Sequence, residues 1–592
     1  MRLAFSLVLF ALMGLGAAAQ GVVLEGRRCA TPEPTVTEAL ATARVVGAYR
    51  AAGAFERTRA EPITVPVAVH VIRSGRSVAE GDIPDAWVEA QLDTLNSTFA
   101  GFGLRFALAL VERVDNADWY EGRADARGDR FGLDLFSDEE EELKAALALD
   151  PTRVLNLYTA SLGNDYLGWA TLPELYEEED LYAGVVLLDQ SLPGGRAAPY
   201  NLGHTGTHEV GHWAGLYHTF SGGCTEPNDA VDDTPQQRTS TRGCPSPAPD
   251  SCPTDPGLDP IHNYMDYSDD ACMTEFTDGQ RERSAALLAA YRPRLAAGGF
   301  ALATVPRDVL DGLFVGVTTT APLRVTNATD APFTVAGVVA SGAAATLAGG
   351  PRTVAPGEAA LLDLEIRPSQ PGAVALRVET DAGVTPDLLT ITGTAVLPPT
   401  ARLAQPQLRA RVIEGERDTL AVVLANDGGG ALTYRLAGLP AWVASASPTV
   451  GAIPGGASET IELVVDAGAL APAEYDEPLV IETNDPVRGT VTLALSLSVR
   501  ARPEAFAIGA VYPNPARGPV TVPLLLPDAR VVTVDVVDVR GRVVDVLAEQ
   551  APLPVGYPEL RWDLAEDAAP GVYVIRARAD TESAVARVVI LR

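Results

Sequence analysis

One short segment constrains this chain more than any other, because it places three histidines at the spacing of a metal site. Residues 208–218 read His-Glu-Val-Gly-His-Trp-Ala-Gly-Leu-Tyr-His. On a helix, His208 and His212 share a face, so both imidazoles can reach the same ion. Gly215 can adopt the left-handed conformation that ends a helix. The chain would then turn and bring His218 to that ion.

The chemistry of this segment is that of a catalytic metal centre. Three neutral imidazoles and a water form an open tetrahedral zinc site, and Glu209 lies where a carboxylate can take a proton from the attacking water. A short His-Glu-x-x-His match arises by chance, but here the glycine and the third histidine are also in place. His204 also lies four residues before His208 and is the rival ligand; without a glycine turn it is expected to cap or pack instead.

Length and charge limit the remaining possibilities. A chain of 592 residues is too long for one hydrophobic core, so several domains are expected. The formal net charge of -32 argues against nucleic acid and anionic membranes as partners, since both require a basic face.

The N-terminus indicates export. Arg2, an apolar run and the small residues before Gln20 predict a signal peptide over residues 1–19. No later stretch is long and apolar enough to span a bilayer, so we expect no transmembrane helix in the mature chain. Residues 20–60 lack a strong apolar period and are interpreted as a pro-segment.

The periodicity changes near residue 300. Residues 61–298 alternate predicted strands with amphipathic helices, two of which start at capping boxes, Ser137 with Glu140 and Thr277 with Gln280. The acidic residues that follow Ser137 are interpreted as a solvated helix start. Beyond residue 300, short alternating strands separated by Gly and Pro predict β-sandwiches. The fold class is therefore multidomain: an α/β (α+β) domain at 61–298, all-β sandwiches at 301–398 and 401–500, and a third β unit at 503–592.

The long histidine motif resembles that of the metzincin zinc proteases. Met265, within the run Asn-Tyr-Met-Asp-Tyr, looks like the methionine turn that lies beneath the zinc in that clan. Residues 61–298 resemble the pappalysin family, and more closely its ulilysin-like branch. The resemblance implies a secreted zinc endopeptidase acting on proteins and peptides. It also implies that the Tyr267 hydroxyl stabilises the tetrahedral intermediate.

Four of the five cysteines lie close together: Cys224, Cys244, Cys252 and Cys272. In an exported chain this favours disulfides, although the residues alone leave three pairings open. The family resemblance implies the pairs Cys224–Cys252 and Cys244–Cys272.

The resemblance also implies a specificity residue. In this branch an Asp at position 270 lies at the base of the pocket for the residue after the scissile bond, where a carboxylate selects Arg or Lys. We therefore expect cleavage on the N-terminal side of Arg or Lys. Asp269 is the adjacent rival, and the alternative is that both are acids of a surface loop.

A second metal is suggested by oxygen ligands after the histidine helix: Asp229, Asp232, Asp233 and Thr234. Such a density of oxygen ligands suits calcium, and the family carries calcium here. The alternative is an acidic turn in an acidic protein.

The remaining cysteine suggests latency. The phrase that starts at Cys29 reads Cys-Ala-Thr and resembles the Cys-Gly-Thr of related zymogens, whose thiolate caps the zinc. The alternative is a stray reactive thiol. Self-cleavage before Arg57 or Arg59 would remove the segment.

Residues 301–500 carry no catalytic cluster. Residues 301–500 resemble Ig-like modules of bacterial surface proteins. The phrase Tyr-Pro-Asn-Pro from Tyr512 and the Pro-Gly-Val-Tyr from Pro570 resemble the type IX secretion sorting domain. That resemblance implies the type IX secretion machinery as a partner and an extracellular or outer-membrane surface location; the alternative is one more sandwich.

Two other functions remain open. The chain could be a surface adhesin whose zinc domain is structural or inert. Glu209 favours the enzyme, because a structural zinc site does not need a carboxylate beside an open position. If Asp270 points away from the cleft, the chain would be a metzincin with another preference.

Overall fold

A computed structural model describes residues 28–54, 62–123, 132–163, 165–381, 387–388, 391–564 and 569–591. The predicted signal peptide and the proposed cleavage positions before Arg57 and Arg59 lie outside these residues. The chain divides into two compact units, Met1–Ala395 and Val396–Arg592.

The first unit begins with a five-stranded sheet in the order β2-β1-β3-β5-β4. The strands are β1 Ile63–Arg73, β2 Leu104–Asp115, β3 Leu155–Ala160, β4 Gly168–Ala170 and β5 Val185–Leu188. All neighbours pair in parallel except β4, which pairs antiparallel with β5. Strand β1 is rich in Val and Ile and is buried almost throughout, as expected for a strand inside a parallel sheet. Strand β4 forms an edge of the sheet, beside the histidine helix.

Eight helices occur in the described residues of the first unit. They are α1 Val36–Ala51, α2 Asp85–Thr98, α3 Ala117–Glu121, α4 Asp138–Leu147, α5 His204–Trp213, α6 Asp278–Tyr291, α7 Pro293–Ala297 and α8 Arg307–Asp311. Val88, Leu92 and Leu95 of α2 and Val210 of α5 join the core over the sheet. No helix in the described ranges is long and apolar enough to cross a membrane.

One predicted capping box is complete and the other is not. The Thr277 hydroxyl accepts from the Gln280 N–H, and the Gln280 amide oxygen accepts from the Thr277 N–H. The Ser137 hydroxyl accepts from the Glu140 N–H at 3.2 Å, but the Glu140 carboxylate turns inward.

Glu140 corrects the interpretation of this acidic run as solvated. Its side chain is fully buried and lies 2.8 Å from the ammonium of Lys144, which is buried as well. The carboxylate also accepts from the Trp169 indole N–H and the Tyr182 hydroxyl. Burial of a carboxylate is tolerated here because a partner charge and further donors surround it.

The rest of the first unit is a β-sandwich. Its sheets have the orders β10-β8-β12-β14 and β13-β6-β7-β11-β9. The strands are β6 Phe300–Thr304, β7 Thr319–Ala328, β8 Phe333–Ser341, β9 Ala343–Leu347, β10 Arg352–Val354, β11 Ala359–Pro368, β12 Gly372–Thr380, β13 Asp387–Leu388 and β14 Thr392–Ala395. Phe300, Leu302 and Ala328 belong to the same hydrophobic core as Phe106 and Leu110 of β2.

The second unit is all-β. Its first pair of sheets has the orders β15-β17-β21-β19 and β16-β23-β22-β18-β20, and its last pair the orders β24-β25-β28 and β27-β26-β29-β30. The strands are β15 Ala401–Leu403, β16 Gln407–Ile413, β17 Arg417–Asn426, β18 Leu432–Gly438, β19 Val443–Ser447, β20 Val450–Ile453, β21 Ser458–Asp466, β22 Glu474–Thr483, β23 Thr490–Arg500, β24 Ala507–Ile508, β25 Val520–Leu525, β26 Arg530–Val537, β27 Val543–Leu553, β28 Glu559–Trp562, β29 Gly571–Ala579 and β30 Glu582–Ile590. The predicted fold class is confirmed: an α/β domain precedes β-sheets that continue to the C-terminus.

Candidate active site

The histidine helix ends where the sequence predicts. Helix α5 stops at Trp213, and Gly215 follows with φ +93°. A Cβ on Gly215 would lie 2.5 Å from the Leu287 side chain, so both the backbone conformation and the packing require glycine. The turn brings His218 back toward α5.

The three imidazoles converge on one point. Nε2 of His212 lies 3.1 Å from Nε2 of His208 and 3.1 Å from Nε2 of His218. Each Nδ1 meets an oxygen that can only accept a hydrogen bond. These oxygens are the carbonyls of Tyr264 and Leu216 and the carboxylate of Glu33. Each Nδ1 therefore carries the proton, and three Nε2 lone pairs face one another.

Only a cation satisfies three lone pairs in this arrangement, so the residues fit a bound metal. Burial and then the neighbouring histidines hold the pKa of His208 and His212 well below the ordinary value. The rings of His208 and His212 are therefore in the neutral state that a metal ligand requires. Met265 packs beneath them: it is fully buried, and its sulfur would lie 2.5 Å from a Cβ on Gly211 of the helix.

Glu209 is fully buried beside the histidines. Its Oε2 accepts from the Thr31 hydroxyl at 3.1 Å and from the Cys29 thiol at 3.3 Å. Its Oε1 has no hydrogen-bond partner among the described residues. Burial raises the pKa of Glu209 to about 8, although the contacts with Cys29 and Thr31 act in the opposite direction.

Cys29 lies at the fourth corner of the cluster. Its sulfur and the ligand nitrogens of His208, His212 and His218 all lie within 4.8 Å of one another. Burial and the adjacent Glu209 raise the pKa of the thiol, so a nearby cation is what would favour the thiolate. The Tyr267 hydroxyl lies 3.3 Å from Nε2 of His218 and donates to the Cys29 carbonyl at 3.4 Å.

The segment around Cys29 pairs with the start of β4 through a single β-bridge. The Ala30 N–H donates to the Gly168 carbonyl at 3.0 Å, and the Leu167 N–H donates to the Arg28 carbonyl at 2.9 Å. Cys29 pairs with Gly168 in parallel. This backbone pairing holds the segment across the histidines.

Asp270 is not an acid of a surface loop. It is fully buried and forms a 3.1 Å ion pair with the guanidinium of Arg28, which is 4 % exposed. The same guanidinium donates to the Ser268 carbonyl and lies 4.8 Å from the centre of the Tyr200 ring. The second Asp270 oxygen accepts from the Leu202 N–H at 2.8 Å, which fixes the orientation of the carboxylate.

His204 lies away from the metal cluster. Its Nδ1 is 2.8 Å from the Asp270 carbonyl oxygen, and its ring packs edge-on against Tyr264.

Both disulfides are formed in the described structure, Cys224–Cys252 and Cys244–Cys272. The second ends in the turn Asp270–Cys272, which carries the buried Asp270 carboxylate.

The four oxygen residues after the helix are not equivalent. Asp229 and Thr234 are buried, and Oδ2 of Asp229 and Oγ1 of Thr234 have no hydrogen-bond partner among the described residues. Burial raises the pKa of Asp229 to about 8. Asp232 is exposed and pairs with Arg50 at 3.1 Å, and Asp233 accepts from the Gly279 N–H at 2.9 Å.

Sequence reasoning missed three residues of this site, Arg28, Glu33 and Tyr200, and did not predict the contact of Thr31 with Glu209. The only signal for Arg28 and Glu33 is their closeness to Cys29, and Thr31 belongs to the Cys-Ala-Thr phrase itself. The partners of Arg28, Thr31 and Glu33 lie 139 to 242 positions away along the chain, so no local pattern identifies these contacts.

Comparison with known proteins gives two family matches. The peptidase M43 model, described as pregnancy-associated plasma protein-A, matches residues 140–289. The model of the secretion system C-terminal sorting domain matches residues 510–591.

Similar relatives are extracellular metalloproteases of fungi. That of Pyricularia oryzae is 39% identical over 288 residues, which cover 48% of this chain and 96% of the relative. That of Verticillium alfalfae is 40% identical over 274 residues, which cover 45% of this chain and 92% of the relative. Among solved structures, mature mirolysin of Tannerella forsythia in complex with a cleaved peptide is 30% identical, with a TM-score of 0.33, over 40% of this chain and 96% of that one.

Proposed function

This chain belongs to the M43 family of peptidases and is a secreted metalloprotease, and on that premise we propose that it is a zinc endopeptidase, made as a zymogen, that cleaves on the N-terminal side of Arg or Lys. Its C-terminal sorting domain makes the type IX secretion machinery its export partner. The observation that carries the proposal is the convergence of three Nε2 atoms beside the free Glu209 oxygen.

His208, His212 and His218 would hold the zinc, which supplies Lewis acidity toward the scissile carbonyl and lowers the pKa of water. Glu209 accepts the proton of the attacking water and passes it to the leaving amine. Its free Oε1 is the atom available for this transfer. The Tyr267 hydroxyl, beside the ligand cluster, donates to the oxyanion that develops on the carbonyl.

The specificity proposal is supported by the chain's own Arg28. A guanidinium is already bound to Asp270, to the Ser268 carbonyl and against Tyr200. A substrate arginine in the same pocket would make the same contacts, with charge-assisted pairing as the selective element. A lysine ammonium reaches the carboxylate but lacks the planar group that stacks on the ring.

A calcium ion in the loop after α5 is also proposed. The buried oxygens of Asp229 and Thr234 that lack partners support it, since hard cations take oxygen ligands. Asp232 and Asp233 complete the proposed set.

Latency is proposed from the position of the Cys29 sulfur at the fourth corner of the cluster. We expect Cys29→Ser to raise the peptidase activity of the unprocessed chain by about tenfold or more, because a hydroxyl is a much poorer zinc ligand than a thiolate. The measurement is the initial rate on a quenched-fluorescence peptide while gels still show the intact chain. Ala30→Gly is the matched control and should stay latent. Equal latency of the Cys29→Ser chain would show that the thiol is dispensable.

The function as a whole is tested on a mixture of unfolded proteins. After digestion by the processed enzyme, mass spectrometry should find new peptides that begin with Arg or Lys. A chelator should suppress them, and added zinc should restore them. Cleavage that resists the chelator would overturn the zinc proposal, and random N-terminal residues would overturn the specificity. A chain that binds zinc but never cleaves would favour the adhesin alternative.

A further inference from the structure

The Nδ1 atoms of the three histidines, which point away from the proposed metal, donate to partners in different parts of the chain. Nδ1 of His208 and His212 donate to carbonyls of residues 264 and 216, within the protease domain. Nδ1 of His218 donates at 2.6 Å to a carboxylate oxygen of Glu33, which lies in the pro-segment. The second Glu33 oxygen accepts from the Ser221 hydroxyl at 2.5 Å. The removable segment therefore supplies the outer partner of one ligand.

That ligand is the one for which an outer partner matters most. His218 follows the helix on a turn, so helical backbone does not fix its ring as it fixes the other two. A carboxylate on the outer nitrogen sets the tautomer and the ring orientation and makes the ligand nitrogen more basic. Glu33 is half exposed while His218 is 3% exposed, so the contact closes over the site from the solvent side.

We propose that Glu33 is a metal-positioning residue of the zymogen, which holds His218 in its ligating orientation and leaves with the pro-segment. The unprocessed chain then holds zinc more tightly than the mature enzyme does. The pro-segment would act on the centre in two ways: Cys29 would bind the ion itself, and Glu33 would act through a ligand. This inference rests on the proposed zinc site and adds a metal-retaining role to latency.

The test measures zinc affinity rather than activity. The full-length chain is compared with its Glu33→Ala and Arg50→Ala variants, all in a Glu209→Gln background that keeps the segment attached. Zinc is titrated against a chromogenic chelator of known affinity. Loss of an outer partner costs about 10- to 100-fold in metal affinity, and this loss is expected for Glu33→Ala. Arg50→Ala removes two ion pairs of α1, with Asp232 and Glu282, and should change zinc affinity by less than about threefold, because the Arg50 side chain is half exposed and its ion pairs are screened by solvent.

A second comparison uses processing as an internal control. An added protease removes the pro-segment, and the released segment is then separated from the enzyme. The processed Glu33→Ala chain and its processed parent have the same sequence, so the difference in their zinc affinity must vanish. Ser221→Ala, which removes the hydroxyl that orients Glu33, should weaken zinc binding of the unprocessed chain in the same direction. It serves as the readout if Glu33→Ala does not fold.

The outcomes separate this inference from the proposed function. Equal zinc affinity of Glu33→Ala and its parent, or an equal loss in Arg50→Ala, overturns the role of Glu33 and leaves the zinc enzyme intact. Failure of every variant to take up stoichiometric zinc overturns the proposed function itself.

Discussion

Glu209→Gln should lower kcat/KM for an arginine-containing peptide by about 10²- to 10⁴-fold, the contribution of a general base, with zinc retained. Glutamine keeps the size of the side chain but cannot accept the proton of the attacking water. Glu209 is fully buried beside the histidines and has a free oxygen, so its carboxylate is positioned to take this proton. The rates are compared after an added protease has removed the pro-segment from both chains, because the variant will not process itself.

The matched control is Glu275→Gln, which changes an exposed glutamate of the same domain and should leave both rate and zinc content unchanged. Zinc content is measured by atomic absorption on the same samples. A Glu209→Gln enzyme that retains more than a tenth of the parental rate would remove the proposed general base. A variant that loses its zinc would leave the rate uninterpretable as proton transfer and would instead assign Glu209 to metal retention.

Asp270→Asn should lower kcat/KM for peptides with Arg after the scissile bond by about 10²-fold or more, since losing one partner of a buried charge pair costs about 2–5 kcal/mol. Asparagine retains a side-chain oxygen for the Leu202 N–H that Asp270 now binds, so the pocket should keep its shape. Peptides with Leu at that position should be affected far less. The measurement is the ratio of kcat/KM for the Arg and Leu peptides.

Asp269→Asn is the control for this second experiment. Asp269 precedes the pocket residue, and the Arg28 contacts do not include it, so its variant should keep the parental ratio. An equal fall for Arg and Leu peptides in Asp270→Asn would show a structural role for the carboxylate. A change of ratio in Asp269→Asn alone would transfer the specificity to the rival acid.

The parts of the site that the sequence predicts are those in which function follows from local spacing. His208 and His212 lie one helical turn apart, and Gly215 marks the end of the helix. The spacing of these residues is therefore sufficient to predict that the histidines share a metal. Tyr267, Asp270 and the disulfide pairs were accessible only through resemblance, because nothing in their local sequence specifies a partner.

What the sequence could not provide are contacts between distant segments. Arg28 meets Asp270 across 242 positions, and Glu33 meets His218 across 185. Glu140 was misinterpreted for a similar reason: on the sequence it is one acid of an acidic run, and only the fold shows Trp169 and Tyr182 closing over it. Burial of a charged residue depends on tertiary structure. A local sequence pattern predicts only the usual environment of a charged side chain, which is the solvent-exposed surface.

The hydrophobic core that Phe300, Leu302 and Ala328 share with the protease sheet limits where this protein tolerates shortening. Truncation of the chain at the end of α7 would remove the apolar residues that pack on β2. The hydrophobic surface exposed in this way is expected to cause aggregation. Shedding from a cell surface that releases a working enzyme is therefore expected to cut beyond residue 395, where the first compact unit ends.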